Sequence, residues 1–225
     1  MTDYQESKLD MLQRVLEILS NNLKIYAHVK RMVDLVETLN RVLTSIRETA
    51  QQQAKVSIGG YSAEKQKTLE EVIAGSVKIA NAMYVIAFDK NDKVLLSSMS
   101  INKSMFYHGH ANDALTLATN IITEAKKYTS ELREYGIEDN DFIQLDEAIS
   151  NYKNFINRPQ IAKEERALHT KNLKELFSEA DSILYDQLDK LIVLFKTTSP
   201  DFYFSYKTAR NIINYAKRNR KEEEE

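Results

Sequence analysis

The sequence predicts an all-α protein, an elongated antiparallel (up-and-down) bundle of about five or six helices, two of them long. The first observation is that the 225 residues include only five glycines and two prolines, the residues that most often interrupt helices. The second is that apolar residues recur at spacings of three and four along most of the chain. The third is the length of the uninterrupted stretch 5–54, which would extend about 75 Å as one helix.

The N-terminal stretch 5–54 reads as one long helix, or as two helices with a joint at Asn21 and Asn22. We expect the first loop at 56–62, around Gly59 and Gly60. Ser62 is then the candidate N-cap of the next helix.

The helix after this loop has a core stripe that runs from Leu69 to Ile86, and Gly75 inside it is predicted to be a close-packing site. Residues 83–96 allow two interpretations, a β-hairpin with a four-residue turn or a helix, a polar turn and a short helix. The helical period enters this segment from both sides and favours the second interpretation.

Ser104 is the candidate cap of a helix over 104–135, which Gly136 would end in a left-handed conformation. Asp139 or Asp141 would cap the following helix.

That helix should end at Arg158 and Pro159, and the second long helix is predicted over 160–198. Ser199 and Pro200 have the N-cap and N1 residue types of a last helix, which is expected to reach Arg218. We therefore predict a single domain over 1–218 and a charged, disordered tail over 219–225.

Charge and cysteine content exclude several classes of function. With 31 basic and 33 acidic residues the net charge is -2, which argues against a nucleic-acid partner and against general attraction to anionic lipid. The chain has no cysteine, and therefore no disulfide or thiolate site. We expect a soluble, cytoplasmic protein, because the N-terminus lacks signal-peptide features; a removed signal or a further domain stays open. No transmembrane segment is expected, because the longest apolar run is far shorter than the roughly twenty residues that a membrane span requires.

Over residues 70–217 the chain resembles a group of uncharacterised bacterial all-helical proteins. The resemblance rests on motifs that recur in order: EYGI at 134–137, RP at 158–159, the segments 173–177, 183–184 and 188–191, SPDFY at 199–203, and Tyr206, Ala209 and Arg210. It implies a self-contained helical module and brings no activity. Longer members often carry a β-sandwich similar to a carboxypeptidase regulatory domain, whereas this chain ends in Lys221 and four glutamates.

Two histidine clusters are the candidates for a metal site. His108 and His110, with Asn112 and Asp113, form a His-x-His pair, but on a helix the two rings would point about 200° apart. We expect them to be surface histidines. Glu165 and His169 are one helical turn apart and read as a solvated pair. No metal or other cofactor is predicted.

No catalytic constellation is recognisable, so we predict a protein that is not an enzyme and has no catalytic residues. The four histidines, at positions 28, 108, 110 and 169, lie near no nucleophile motif. Gly59 and Gly60 lack the lysine and serine or threonine that complete a phosphate-binding loop.

The densest aromatic segment is 202–206, and it has two interpretations. It can be the plug that docks the last helix onto the bundle, which we favour. Alternatively it is a partner-binding patch, since tyrosine and arginine are enriched at interaction hot spots. The residues of this possible patch are Phe202, Tyr203, Tyr206, Lys207 and Arg210.

The predicted function is a structural or protein-interaction module that binds another protein or itself. The alternative is a sensor-like bundle that holds a small ligand between helices near Tyr84, Phe88, Phe106 and Tyr107. A third hypothesis is a membrane-active protein that inserts residues 83–96 as an apolar hairpin.

Overall fold

The all-α prediction is confirmed. A computed structural model describes residues 1–213, and these residues form helices, turns and no strand. The α-helices in chain order are α1 (Asp3–Asn21), α2 (Leu23–Tyr26), α3 (Lys30–Lys55), α4 (Ile58–Asp89), α5 (Lys93–Met99), α6 (Ala111–Ala125), α7 (Thr129–Leu132), α8 (Asp139–Phe155), α9 (Arg158–Ser182), α10 (Asp189–Leu191) and α11 (Pro200–Ala209).

Tighter and wider helical turns join several of these helices. Three-residue-per-turn segments lie at Lys103–Tyr107, Lys126–Tyr128, Arg133–Tyr135 and Ile192–Phe195. A π-helical segment, Ile183–Leu188, follows α9 directly and leads into α10. A π-helical turn of this kind is rare and widens the helix by one residue, which changes the directions of the side chains after it.

The helices form two compact units. Among the described residues, unit 1 contains residues 1–56 and 164–213, and unit 2 contains residues 57–163. The sequence predicts one domain over 1–218, and that prediction does not anticipate this division. Each unit has a hydrophobic core of its own.

The core of unit 1 is built by α1, α3, the end of α9, the π-helical segment Ile183–Leu188, the segment Ile192–Phe195 and α11. Its buried side chains include Leu12, Leu19, Met32, Leu39, Ile46, Leu173, Leu184, Leu188, Ile192 and Phe202. They recur at spacings of three and four within each helix, which places them on one face.

The core of unit 2 surrounds α4. Helices α5, α6 and α8 all pack against α4. The buried side chains include Val72, Ile79, Met83, Ile86, Leu95, Phe106, Ala118, Ile121, Leu132, Phe142 and Leu145. Gly75 lies at the crossing of α4 and α8, where an added Cβ would be 3.2 Å from Leu145 Cδ1. The prediction of a close-packing glycine is therefore confirmed.

The N-terminal stretch follows the interpretation with a joint. Asn22 separates α1 from α2, and its side-chain Nδ2 donates to the carbonyl oxygen of Ile18 at 2.8 Å. A second interruption, which the sequence did not predict, lies between α2 and α3 at residues 27–29.

The predicted loop over 56–62 is mostly helical, so this prediction is wrong. Helix α4 begins at Ile58 and includes both Gly59 and Gly60. Its N-cap is Ser57, whose Oγ accepts from the backbone N–H of Gly60 at 3.2 Å, and Ser62 lies inside the helix. Each glycine costs only about 1 kcal/mol in a helix, and the N-cap hydrogen bond of Ser57 offsets part of that cost.

The β-hairpin interpretation of 83–96 is excluded by the structure. Helix α4 continues to Asp89, a turn follows, and α5 begins at Lys93 with Asp92 as its N-cap. The carboxylate of Asp92 accepts from the backbone N–H groups of Val94 and Leu95, both at 3.0 Å.

Several predicted caps of unit 2 are corrected. Ser104 caps no long helix, because α6 begins only at Ala111, after the N-cap His110. The cap of α8 is Glu138, and Asp141 occupies position N3 of its capping box. Gly136 does adopt the predicted left-handed conformation, with φ +77°.

Two boundaries near the C-terminus also differ. Helix α8 already ends at Phe155, and Arg158 and Pro159 begin α9. Proline is tolerated at a helix start, because the backbone N–H that it lacks would have no partner within the helix there. Pro200 begins α11 as predicted. This helix ends at Ala209 instead of Arg218. The predicted tail over 219–225 lies outside the described residues.

Two glycines of unit 2 should respond in opposite ways to alanine. Nothing lies within 4 Å of a Cβ at Gly136 or Gly59, so crowding does not contribute at either position. Gly136→Ala should cost about 1 kcal/mol of unfolding free energy because of its left-handed φ. Gly59→Ala should gain up to about 1 kcal/mol, because alanine is the better helix former. Urea unfolding monitored by circular dichroism measures both changes. Equal changes in the two variants would show that the backbone conformations of Gly136 and Gly59 do not decide the effect of alanine.

Candidate functional site

The residues of the predicted aromatic patch divide between core and surface. Phe202 and Tyr206 are buried in the core of unit 1, whereas Lys207 is exposed and Tyr203 and Arg210 are half-buried. The Phe202 ring is stacked on Tyr26 at 5.9 Å between ring centroids and meets Phe195 edge-on at 5.5 Å.

This placement corrects the patch interpretation for Phe202 and Tyr206, since both side chains are turned into unit 1 and are not accessible to a partner. They dock α11 onto the rest of the unit, as the favoured interpretation of this segment predicts. Partner binding through Tyr203, Lys207 and Arg210 stays a prediction.

Arg210 and Tyr206 belong to a mostly buried ionic cluster that also contains Asp189. Arg210 donates from Nε and Nη2 to the two carboxylate oxygens of Asp189, at 3.1 and 2.8 Å. The Tyr206 hydroxyl donates to Oδ1 of Asp189 at 2.9 Å. The guanidinium carbon of Arg210 also lies 4.6 Å from the ring centroid of Tyr185. Four side chains from three helical segments are therefore held together at α11.

The pKa values of this cluster follow from its geometry. Burial alone would raise the pKa of Asp189, but the hydrogen bonds from Arg210 and Tyr206 outweigh burial and hold this pKa below its usual value. Burial is the main cause and the neighbouring Asp189 carboxylate the second cause that raise the pKa of Tyr206 far above the ordinary tyrosine value. Asp189 is therefore a carboxylate and Tyr206 a neutral phenol near neutral pH, so the cluster is an ion pair suited to fixing α11 and not to proton transfer.

Asp189 and Tyr185 were not identified from the sequence. Asp189 follows the π-helical segment Ile183–Leu188, and Tyr185 lies within it. The segment has no recognisable sequence signal, and Arg210 is too distant along the chain for a local pairing rule to find its partner.

The four residues of the predicted ligand pocket are not brought together around a cavity. Phe106 is in the core of unit 2, and the Tyr107 hydroxyl donates to Glu70 on α4. The pKa of Glu70 is lowered, mainly by the hydrogen bond from Lys103 and secondly by the one from Tyr107. Tyr84 and Phe88 are exposed on α4.

Two open grooves in unit 2 are lined by other residues. One, of about 430 Å³, lies between α4 and α8 over Gly75, Leu145 and Ala148. The other, of about 410 Å³, lies between α5 and α6 over Leu95 and Ile121. Neither groove is lined by the four predicted residues, so the ligand alternative loses its proposed location.

The predicted metal candidates are surface residues. His108 and His110 are exposed, and the backbone N–H of His110 donates to Oδ2 of Asp113 at 2.6 Å. Glu165 is exposed and His169 half-buried on α9. Within residues 1–213, no group of three or more histidine and acidic side chains is arranged to hold a metal ion.

The last three turns of α4 are apolar on both sides. Residues 79–88 contain no charged side chain. Ile79, Met83 and Ile86 face the core of unit 2 and are fully buried. The opposite side is exposed, and we call it the α4 outer face; it consists of Asn81, Tyr84, Val85 and Phe88, of which Phe88 is 70% exposed. A helix that is hydrophobic all round is normally covered on all sides.

Charged residues flank the α4 outer face at both ends. Lys78 precedes it, and its Nζ lies 2.6 Å from Oδ1 of Asp141 on α8. Asp89 follows it and accepts a hydrogen bond from the Tyr135 hydroxyl at 2.7 Å. These contacts fix both charges at the rim of the apolar surface. The hydrogen bond from Lys78, followed by that from the backbone N–H of Glu138, lowers the pKa of Asp141.

Within residues 1–213, the criteria of length and composition alone select one stretch that could cross a membrane, Lys30–Asp89, which comprises α3, α4 and the two residues between them. Of its most apolar window, 44% is buried inside the protein. The core helix of a globular domain passes the same test, so this finding is weak evidence for a membrane span.

Comparison of the chain with protein-family models, with curated proteins and with solved structures finds no match.

Proposed function

We propose that this chain is a non-enzymatic helical module that binds another protein chain through the α4 outer face. The observation that carries this proposal is the exposure of Tyr84, Val85 and Phe88 on a helix segment without a charged residue. Contiguous exposed apolar surface is unfavourable in water and often marks an interaction site. Aromatic side chains such as Tyr84 and Phe88 also supply large contact areas with few rotatable bonds.

The rest of unit 2 supports the outer face as a rigid platform. The inner side of the same helix turns is fully buried, and α5, α6 and α8 pack against α4. A partner that covers the outer face therefore does not have to order the helix, and little conformational entropy is lost on binding.

A photo-crosslinking residue at Val85, introduced in cells that naturally express the chain, should form an adduct with a protein. The matched control is the same residue at Lys67, which is exposed five turns earlier on the same side of α4 and is surrounded by polar residues. Because the partner is expected to bind only the apolar end of α4, the Lys67 derivative should give few adducts. Mass spectrometry identifies the products.

The outcomes separate the alternatives. A protein adduct at position 85 and not at 67 supports the proposal. Adducts with lipid alone would instead support the membrane hypothesis, and equal labelling at both positions or none at all would contradict an interaction surface on α4.

A further inference from the structure

From the charges around the α4 outer face we infer that the partner is a second copy of this chain, bound with the two α4 helices antiparallel. This inference rests on the proposed function and specifies its partner. A two-fold interface requires a surface that is complementary to itself, since each copy presents the same residues. The α4 outer face meets this requirement in its apolar centre and in its charged ends.

The two flanking charges lie on one edge of the helix. Lys78 and Asp89 are about three turns apart, and at 3.6 residues per turn they differ in direction by only about 20°. Along the helix axis they are separated by roughly 16 Å. The uncharged outer face fills the interval between them.

An antiparallel pair of α4 helices uses this arrangement twice. With the two-fold axis passing near Tyr84 and Val85, Lys78 of one copy lies opposite the partner's Asp89, and the reciprocal pair forms at the other end. A parallel pair would instead place the two lysines at one height and the two aspartates at another, on opposite edges of the interface, so that neither charge would meet an opposite charge of the partner. The charge pattern therefore selects the antiparallel arrangement.

Both charges can form a further contact. Lys78 is exposed over 53% of its side chain, and its ammonium group has three donors, of which Asp141 needs one. The Tyr135 hydroxyl donates to Oδ2 of Asp89, and a carboxylate has lone pairs for several donors. A net charge of -2 over 225 residues opposes association of two copies only weakly.

The small size of the surface indicates weak association. Four side chains and two flanking charges per copy are fewer than the roughly 20 to 30 residues a side of a standard interface, so we expect a dissociation constant on the order of 10 to 100 μM. Phe88, as the most exposed apolar side chain of the face, should be the largest single contributor.

Sedimentation velocity of the full chain, over about 1 to 200 μM, tests the inference. The wild-type chain should shift from monomer to dimer across this range, and Phe88→Asp should remain monomeric. Lys78→Glu should raise the dissociation constant about tenfold, because like charges then meet at both ends of the interface. The double variant Lys78→Glu with Asp89→Lys should restore it to near the wild-type value.

The double variant is the decisive test. Within one copy, the new carboxylate at position 78 would still face Asp141. A dissociation constant restored to near the wild-type value can therefore come only from contacts between copies. Circular dichroism checks that each variant is folded. A wild-type chain that stays monomeric, a dimer that persists in Phe88→Asp, or a double variant that does not recover would overturn the inference. In the first case an adduct of the Val85 derivative with a different protein would leave the proposed function standing.

Discussion

Replacing Arg210 by methionine should lower the free energy of unfolding by about 3 kcal/mol. The substitution keeps most of the apolar stem and removes the guanidinium that binds both oxygens of Asp189. The Asp189 carboxylate would remain with only 17% of its side chain exposed and with one hydrogen bond, from Tyr206. An unpaired charge in such a position costs much more than the net benefit of the ion pair. Urea unfolding of the full chain measures the loss.

Arg133→Met is the matched control. Arg133 forms an ion pair with Asp139 at 2.7 Å, nearly the same distance as the 2.8 Å between Arg210 and Asp189. The side chains of Arg133 and Asp139 are 62% and 68% exposed, however, against 10% for Arg210. Water therefore screens the exposed pair, and we expect Arg133→Met to change stability by less than about 1 kcal/mol. Equal losses in the two variants would show that burial does not govern the Asp189 cluster.

Two further measurements test whether the effect of Arg210→Met comes from the Asp189 carboxylate that has lost its ion-pair partner. Adding Asp189→Asn should recover part of the loss, because the double variant buries no unpaired charge.

The pH dependence of the unfolding free energy should also differ between wild type and Arg210→Met. Since the native pKa of Asp189 is lowered, its stabilising contribution is present above the unfolded pKa of about 3.9 and is lost as pH falls through the native value. The difference between wild type and Arg210→Met should therefore narrow in acid, and a constant difference would contradict this account.

Replacing Phe202 by alanine should destabilise the chain by about 3 to 5 kcal/mol. Phe202 is 3% exposed and contacts the rings of Tyr26 and Phe195, so its removal leaves a cavity between α11 and the rest of unit 1. Phe204→Ala is a close control, because Phe204 lies two residues away on the same helix and is 62% exposed. We expect the control to stay within about 0.5 kcal/mol of wild type.

Thermal or urea unfolding of the two variants distinguishes the two interpretations of the aromatic segment. A large loss for Phe202→Ala alone agrees with a docking role of this residue. A loss below about 1 kcal/mol for Phe202→Ala would mean that the cavity collapses at little cost and that the ring does not anchor α11.

The sequence predicts the fold class well because helix periodicity and helix punctuation are local properties. Gly136 in its left-handed conformation and Pro200 at the start of α11 could be placed from residue type alone. The same rules misplaced the start of α4, since they treat Gly59 and Gly60 as a loop signal. Glycine costs only about 1 kcal/mol in a helix, and the cap at Ser57 offsets part of that cost.

The candidate surface was only partly visible in the sequence. The uncharged run 79–88 can be read directly, and Tyr84 and Phe88 were predicted to matter, but as the lining of a pocket between helices. Periodicity cannot tell which side of an all-apolar helix is covered, because both sides look alike. The structure buries the side with Met83 and Ile86 and leaves the side with Val85 and Phe88 in water.

By itself the sequence determined the all-α class, most helix-forming segments and the absence of cysteine chemistry, because these depend on composition and on contacts within a few residues. Only the tertiary structure decided that residues 1–56 and 164–213 form one unit, that Arg210 binds Asp189, and that the α4 outer face is exposed. Each of these depends on which distant helices pack together. That choice is made by burial summed over whole helix faces, which local residue patterns constrain but do not specify.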